Sequence, residues 1–67
     1  MKVTFTRLDG TEDVARVTTR KLPSGYYVGI IKIGTISKRV TRQKIQRVDA
    51  ISDAHLALMR EGENAVI

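Results

Sequence analysis

Tyr26-Tyr27-Val28-Gly29-Ile30-Ile31-Lys32-Ile33, residues 26–33, is the stretch whose reading decides the fold. Six of these eight residues are β-branched or aromatic, which suits a pleated strand better than a helix. Apolar side chains fall on both alternating faces, so the segment reads as a central strand. Gly29 inside it predicts a bulge or bend, as a strongly curved sheet would need. Pro23-Ser24-Gly25 before it and Gly34-Thr35 after it are turn signals.

Working outward, Lys2–Leu8 alternates, with Val3 and Phe5 on one face and Thr4 and Thr6 on the other. Asp9-Gly10 supplies a hairpin turn, and Asp13–Thr19 resumes as a second strand. Beyond Gly34-Thr35, Ile36–Thr41 predicts a fourth strand, with Ile36 and Val40 inward and Lys38 at the rim of that face. Arg42-Gln43-Lys44 breaks the alternation and reads as a single helical turn. It leads into a short fifth strand, Ile45–Ile51. Ser52 is then an N-cap with Asp53 beside it, Ala54–Arg60 a short helix, and Gly62 its stop signal.

The predicted fold is therefore mainly β: an SH3-like or Sm-like antiparallel barrel of about five strands with a short C-terminal helix. An open antiparallel sheet with one packed helix is the alternative. The barrel is expected over residues 1–51, with the helix and tail of 52–67 packed on it or on a partner. Phe5, Val17, Val28, Ile30, Ile36, Val40, Ile45 and Val48 form the expected core.

Sixty-seven residues lie near the lower limit for a self-sufficient core. A hydrophobic fraction of 42% is enough for a compact fold. The chain has no Cys, which excludes disulfides and thiolate metal sites. No apolar run is long enough to cross a bilayer and no signal-peptide pattern opens the chain, so a cytoplasmic, membrane-free protein is expected. Without staples, an apolar helix face and a tail ending in Val66-Ile67 suggest a homodimer.

The charge is distributed unevenly. From Val14 to Val48 there is no Asp or Glu, yet nine of the 12 Lys and Arg lie there. The seven acids flank this stretch, and the net charge is +5. A basic middle with acidic margins attracts a polyanion or an acidic protein surface. The densest cluster is Lys38, Arg39, Arg42, Lys44 and Arg47. These cations are expected to form one positive face that grips phosphates of DNA or RNA, with the acids gathered on the opposite side. The plain alternative is a solvated face whose cations pair with Asp49, Asp53 or the Asp9–Asp13 turn.

Tyr26 and Tyr27 are adjacent in one strand and point to opposite faces, so one is core and the other is free to stack on a base. Tyr27 is the expected stacking residue. The lone His55 has no Cys, second His or Ser/Asp arrangement around it, so catalysis, metal binding and a cofactor are not indicated. The expected function is a noncatalytic nucleic-acid-binding module of low sequence specificity. A protein-interaction module, docking on an acidic partner or self-associating, is the rival.

Val3-Thr4-Phe5, the Asp9-Gly10 turn, Val14-Ala15-Arg16-Val17, Gly25-Tyr26-Tyr27-Val28 and Lys38–Ile45 occur in the order of comparable segments in WYL domains. These are small Sm/SH3-like barrels of bacterial transcription regulators. Over about residues 3–50 the chain resembles that family, with Lys38 and Lys44 at the two outer basic positions of the last segment and Val40 at its aromatic one. The resemblance implies a barrel and an anionic ligand such as a nucleotide or nucleic acid.

Overall fold

Alternating apolar residues and three tight turns build an antiparallel meander. The computed structural model describes all 67 residues. Strands β1 (Lys2–Thr6), β2 (Glu12–Lys21), β3 (Tyr27–Ile33) and β4 (Ile36–Arg39) precede helix α1 (Arg47–Glu61) and a 3-10 turn, Gly62–Ala65. The sheet order is β1-β2-β3-β4. Val3 stands opposite Ala15, Val17 opposite Ile31, and Ile33 opposite Ile36. The protein is thus a mainly β domain: an open four-stranded sheet with one C-terminal helix packed on it.

The helix covers one face only. Phe5, Ala15, Val17, Ile31 and Ile33 of the sheet meet Ala54 and Leu58 of α1, and Ala65 and Val66 of the tail close the cluster. The decisive contact is at Gly29. A Cβ there would lie 2.5 Å from the Ala50 carbonyl oxygen and 2.7 Å from the Ala54 Cβ. Both alanines are fully buried. Backbone of β3 and small residues of α1 therefore touch with nothing between them, as only glycine permits.

Several expectations need correction. Gly29 makes no bulge: it lies in unbroken register opposite Thr19, and its lack of a side chain serves helix approach. The expected fifth strand, Ile45–Ile51, is the entry into α1. Only Lys44 still pairs with β3, through an isolated bridge to Tyr27. Ile45, Val48 and Ile51 recur every three residues, a spacing that fits a helix and puts successive members on opposite faces of a strand. What settles the choice is Ala50 and Ala54, one turn apart and small enough to lie on Gly29.

The helix accordingly starts before Ser52, with Gln46 at its N-cap and no side-chain capping bond. The junction of sheet and helix falls ahead of the expected 51/52 boundary. Arg42-Gln43-Lys44 is an irregular connection, not a helical turn. Gly62 does end α1: at φ 57° it turns the chain, and its N–H donates to the Leu58 carbonyl.

Of the expected core, Phe5, Val17, Val28 and Ile30 are buried and Val40 is half-buried. Ile36, Ile45 and Val48 are 52%, 79% and 61% exposed. Strand β4 is a short edge strand with all four residues exposed, because α1 lies over β3 and β2. Ile45 precedes the helix and Val48 lies on its outer side.

Gly29→Ala should force the helix off the sheet, costing roughly 1–3 kcal/mol by overpacking. For a domain of this size, each kcal/mol lowers Tm by about 4–8 °C. Ile31→Ala should cost about 2–5 kcal/mol and Ile36→Ala under about 1 kcal/mol in denaturant unfolding. Equal costs at Ile31 and Ile36 would contradict the one-sided core.

Candidate functional site

The sequence cluster does not stay together. Lys38 lies on the helix side of β4, where its Nζ reaches the Ile67 carbonyl oxygen at 3.4 Å. Arg39 points to the opposite face, and its Nε donates to the Thr41 carbonyl at 3.1 Å. Arg42 is exposed in the connection. Lys44 forms an ion pair with Asp53 at 2.6 Å, so an acid lies within the supposed positive face. Arg47 opens α1, and its Nε donates to Thr19 Oγ1 at 3.1 Å. Alternation sends neighbouring strand residues to opposite faces, and the helix start carries Arg47 away from β4.

Arg42 and Lys44 do converge on a groove of about 490 Å³ between the 40–44 connection and α1. Its apolar lining is Val40, Leu56 and Ala57, and Arg60 joins the cations. Asp53 and Glu61 also line it, so its charge is largely balanced.

The face of the sheet turned away from α1 is different. Ala15 and Val17 face the helix, so Arg16, Thr18 and Arg20 face away. By the same alternation Lys2, Val28, Ile30, Lys32 and Arg39 lie on this open face. Lys2 stands directly opposite Arg16, and Arg16 directly opposite Lys32. Three cations thus form a row across β1, β2 and β3, with strands about 4.8 Å apart. Like charges directly opposite one another destabilise a sheet, so this row weakens the strand pairing on its own.

None of the five cations on this face has an acid within ion-pair distance. Of the 12 Lys and Arg, only Arg7 and Lys44 have one. Val28 and Ile30 are nearly fully buried although they face away from the helix. Val28 is in register with Arg20, and Ile30 lies between Thr18 and Arg39. Long cationic stems cover apolar surface well while their heads remain in water.

The aromatic residues exchange roles. Tyr27 is half-buried on the helix side, where it pairs with Lys44. The Leu22 N–H donates to the Tyr26 carbonyl at 2.7 Å, extending the ladder one pair beyond the strands. That places Tyr26, 46% exposed, on the side of Val28 and Ile30.

Lys2, Arg16, Arg20 and Lys32 were not among the expected site residues. They are scattered in sequence and become neighbours only through strand register. The turn centres carried the missing signal. Pairing about Asp9-Gly10 and about Ser24 sets Lys2 against Arg16 and Arg16 against Lys32.

Three of the acids, Asp9, Asp13 and Glu63, serve structure around the first hairpin. The Arg7 guanidinium grips Asp13, bonds Glu63 at 3.1 Å, and lies 6.0 Å from the centre of the Phe5 ring. The Glu63 carboxylate also accepts from the Leu8 N–H at 2.7 Å. These contacts tie the first hairpin to the C-terminal turn. Hydrogen bonds from the Thr11 hydroxyl and N–H hold the Asp9 carboxyl below its usual range. The Val14 N–H, then Arg7, do the same for Asp13. His55 is half-buried, and no group of three His, Asp or Glu side chains comes together to hold a metal ion. No helix is long and apolar enough to cross a membrane.

No protein-family model, curated protein or solved structure matches this chain.

Carboxyls with lowered folded pKa values stabilise the fold above their unfolded value of 3.8, and that contribution disappears as pH falls through the folded values. Tm should hold steady down to about pH 4 and then drop. Asp13→Asn should lower Tm at neutral pH and flatten the acid limb. An unchanged acid limb in that variant would remove Asp13 from the account.

Proposed function

We propose that this chain is a noncatalytic nucleic-acid-binding module whose open sheet face takes the phosphate backbone. The observation that carries the reading is the unpaired row Lys2, Arg16 and Lys32, with Arg20 and Arg39 beside it. A regular row of cations suits a repeating polyanion. A protein partner is held by a cluster of aromatic and apolar anchors, and on this face Val28 and Ile30 are already buried while the two exposed ones, Val14 and Tyr26, lie near opposite ends of β2. Tyr26 replaces Tyr27 as the aromatic available to stack on a base. No base-reading helix lies on this face, so binding depends on phosphates and has low sequence specificity. The WYL-like order of segments supports an anionic ligand, which this reading assigns to the open sheet.

The second reading is a protein-interaction module for an acidic partner. The groove favours it: Arg42, Lys44 and Arg60 outnumber Asp53 and Glu61 by one around an apolar floor, which suits a segment with one acidic and one apolar side chain.

Fluorescence titrations with single- and double-stranded oligonucleotides separate the two. Log affinity should fall linearly with log salt, by about 0.7–0.9 per phosphate contact. Arg16→Thr with Lys32→Thr should weaken all oligonucleotides alike and reduce the slope by roughly 1.4–1.8. The same pair should leave Tm unchanged or raise it, because it relieves like-charge repulsion. Arg42→Ala with Arg60→Ala should leave oligonucleotide affinity nearly unchanged. No binding at tens of micromolar protein in low salt would eliminate the nucleic-acid reading and put the acidic-partner reading first.

A further inference from the structure

Helix α1 hides Ala50, Ala54 and Leu58, yet its outer side is also apolar. Val48, Leu56 and Met59 are exposed, with Ser52 among them, at the three- and four-residue spacing that makes one stripe. A surface helix normally turns charged residues outward. Asp49 and Arg60 flank the stripe, about three turns apart and therefore on one side of it. Both are exposed and neither has an ion-pair partner.

That arrangement is self-complementary. Turned antiparallel about a two-fold axis level with Ala54, a second copy sets Val48 against the partner's Met59 and Asp49 near the partner's Arg60. Ser52, small and central, leaves room for the partner's Leu56. Every contact occurs twice, as two-fold symmetry requires. Pairing through the sheets would instead oppose like charges.

We propose that the outer stripe of α1, Val48, Ser52, Leu56 and Met59 flanked by Asp49 and Arg60, is the docking surface for a second copy of this chain. One helix face is small, so the dimer belongs to the weak class of interfaces. Paired this way, the two open sheets face outward in opposite directions and both remain free. That consequence rests on the nucleic-acid reading; the docking itself does not.

Sedimentation equilibrium of the full chain, without nucleic acid, tests it. A monomer–dimer equilibrium is expected at high micromolar concentration. Leu56→Asp should weaken it by roughly tenfold or more, while Leu56→Gln, which keeps a good helix former at this half-exposed position, should weaken it too with only a small drop in Tm at low concentration. Asp49→Arg and Arg60→Asp should each weaken association about threefold to tenfold, and the two together should restore it. Four outcomes would overturn the proposal: a monomer throughout, a dimer indifferent to Leu56→Asp, a double variant no better than the singles, or open-ended growth. Open-ended growth would mean a head-to-tail contact, with the outer side of α1 on the open sheet of the next copy.

Discussion

The rest of the structure depends on the approach of α1 to β3 at Gly29. The helix can lie this low only because β3 has no side chain there and α1 presents Ala50 and Ala54. A methyl group at 2.5 Å from a carbonyl oxygen cannot be absorbed by rotating a side chain, since the obstacle is backbone. With the helix seated, Leu58 enters the cluster of Phe5, Val17 and Ile31, and Gly62 returns the tail so that Val66 is buried beside them. In so short a chain this single layer of contact supplies most of the core.

A helix committed to one face leaves the other face bare. The chain uses the two faces for different purposes. Apolar residues of β1, β2 and β3 turn toward α1. Lys2, Arg16, Arg20, Lys32 and Arg39 turn away; Glu12 shares their face, but none of the five has an acid within ion-pair distance. Four of the seven acids are bonded elsewhere: Asp13 and Glu63 hold Arg7, Asp9 closes its own turn through Thr11, and Asp53 holds Lys44. Rows of like charge oppose folding, so the row across three strands adds nothing to stability, and the proposed ligand is what would offset it.

The strands, their turns and the stop at Gly62 were legible because alternation, Asp9-Gly10 and Gly34-Thr35 act locally. So was the burial of Phe5, Val17, Val28 and Ile30. The helix start was not. Ile45, Val48 and Ile51 draw the eye as an apolar run, whereas the residues that dock are alanines, whose burial is worth little individually and whose role needs Gly29 opposite. A one-sided sheet was open to inference as an alternative, but five strands would have closed a barrel, and the fifth was lost to α1. The positive character of the protein was plain from composition. The single face expected of Lys38, Arg39, Arg42, Lys44 and Arg47 did not form, because contiguity in sequence is not contiguity in space. Lys38 and Arg39 are adjacent and face opposite ways; Arg16 and Lys32 are far apart in sequence and stand side by side.

The central claim is that the uncovered sheet face is the functional surface. Amide chemical-shift mapping by NMR, with a short single-stranded oligonucleotide added at low salt, tests it most directly. The expected shifts cluster at Lys2–Thr4, Arg16–Arg20, Val28–Lys32 and Ser37–Arg39, with Tyr26 at their border and the outer side of α1 unmoved. Shifts confined to residues 40–47 and the groove beside α1 would contradict it, as would a spectrum that the oligonucleotide leaves unchanged.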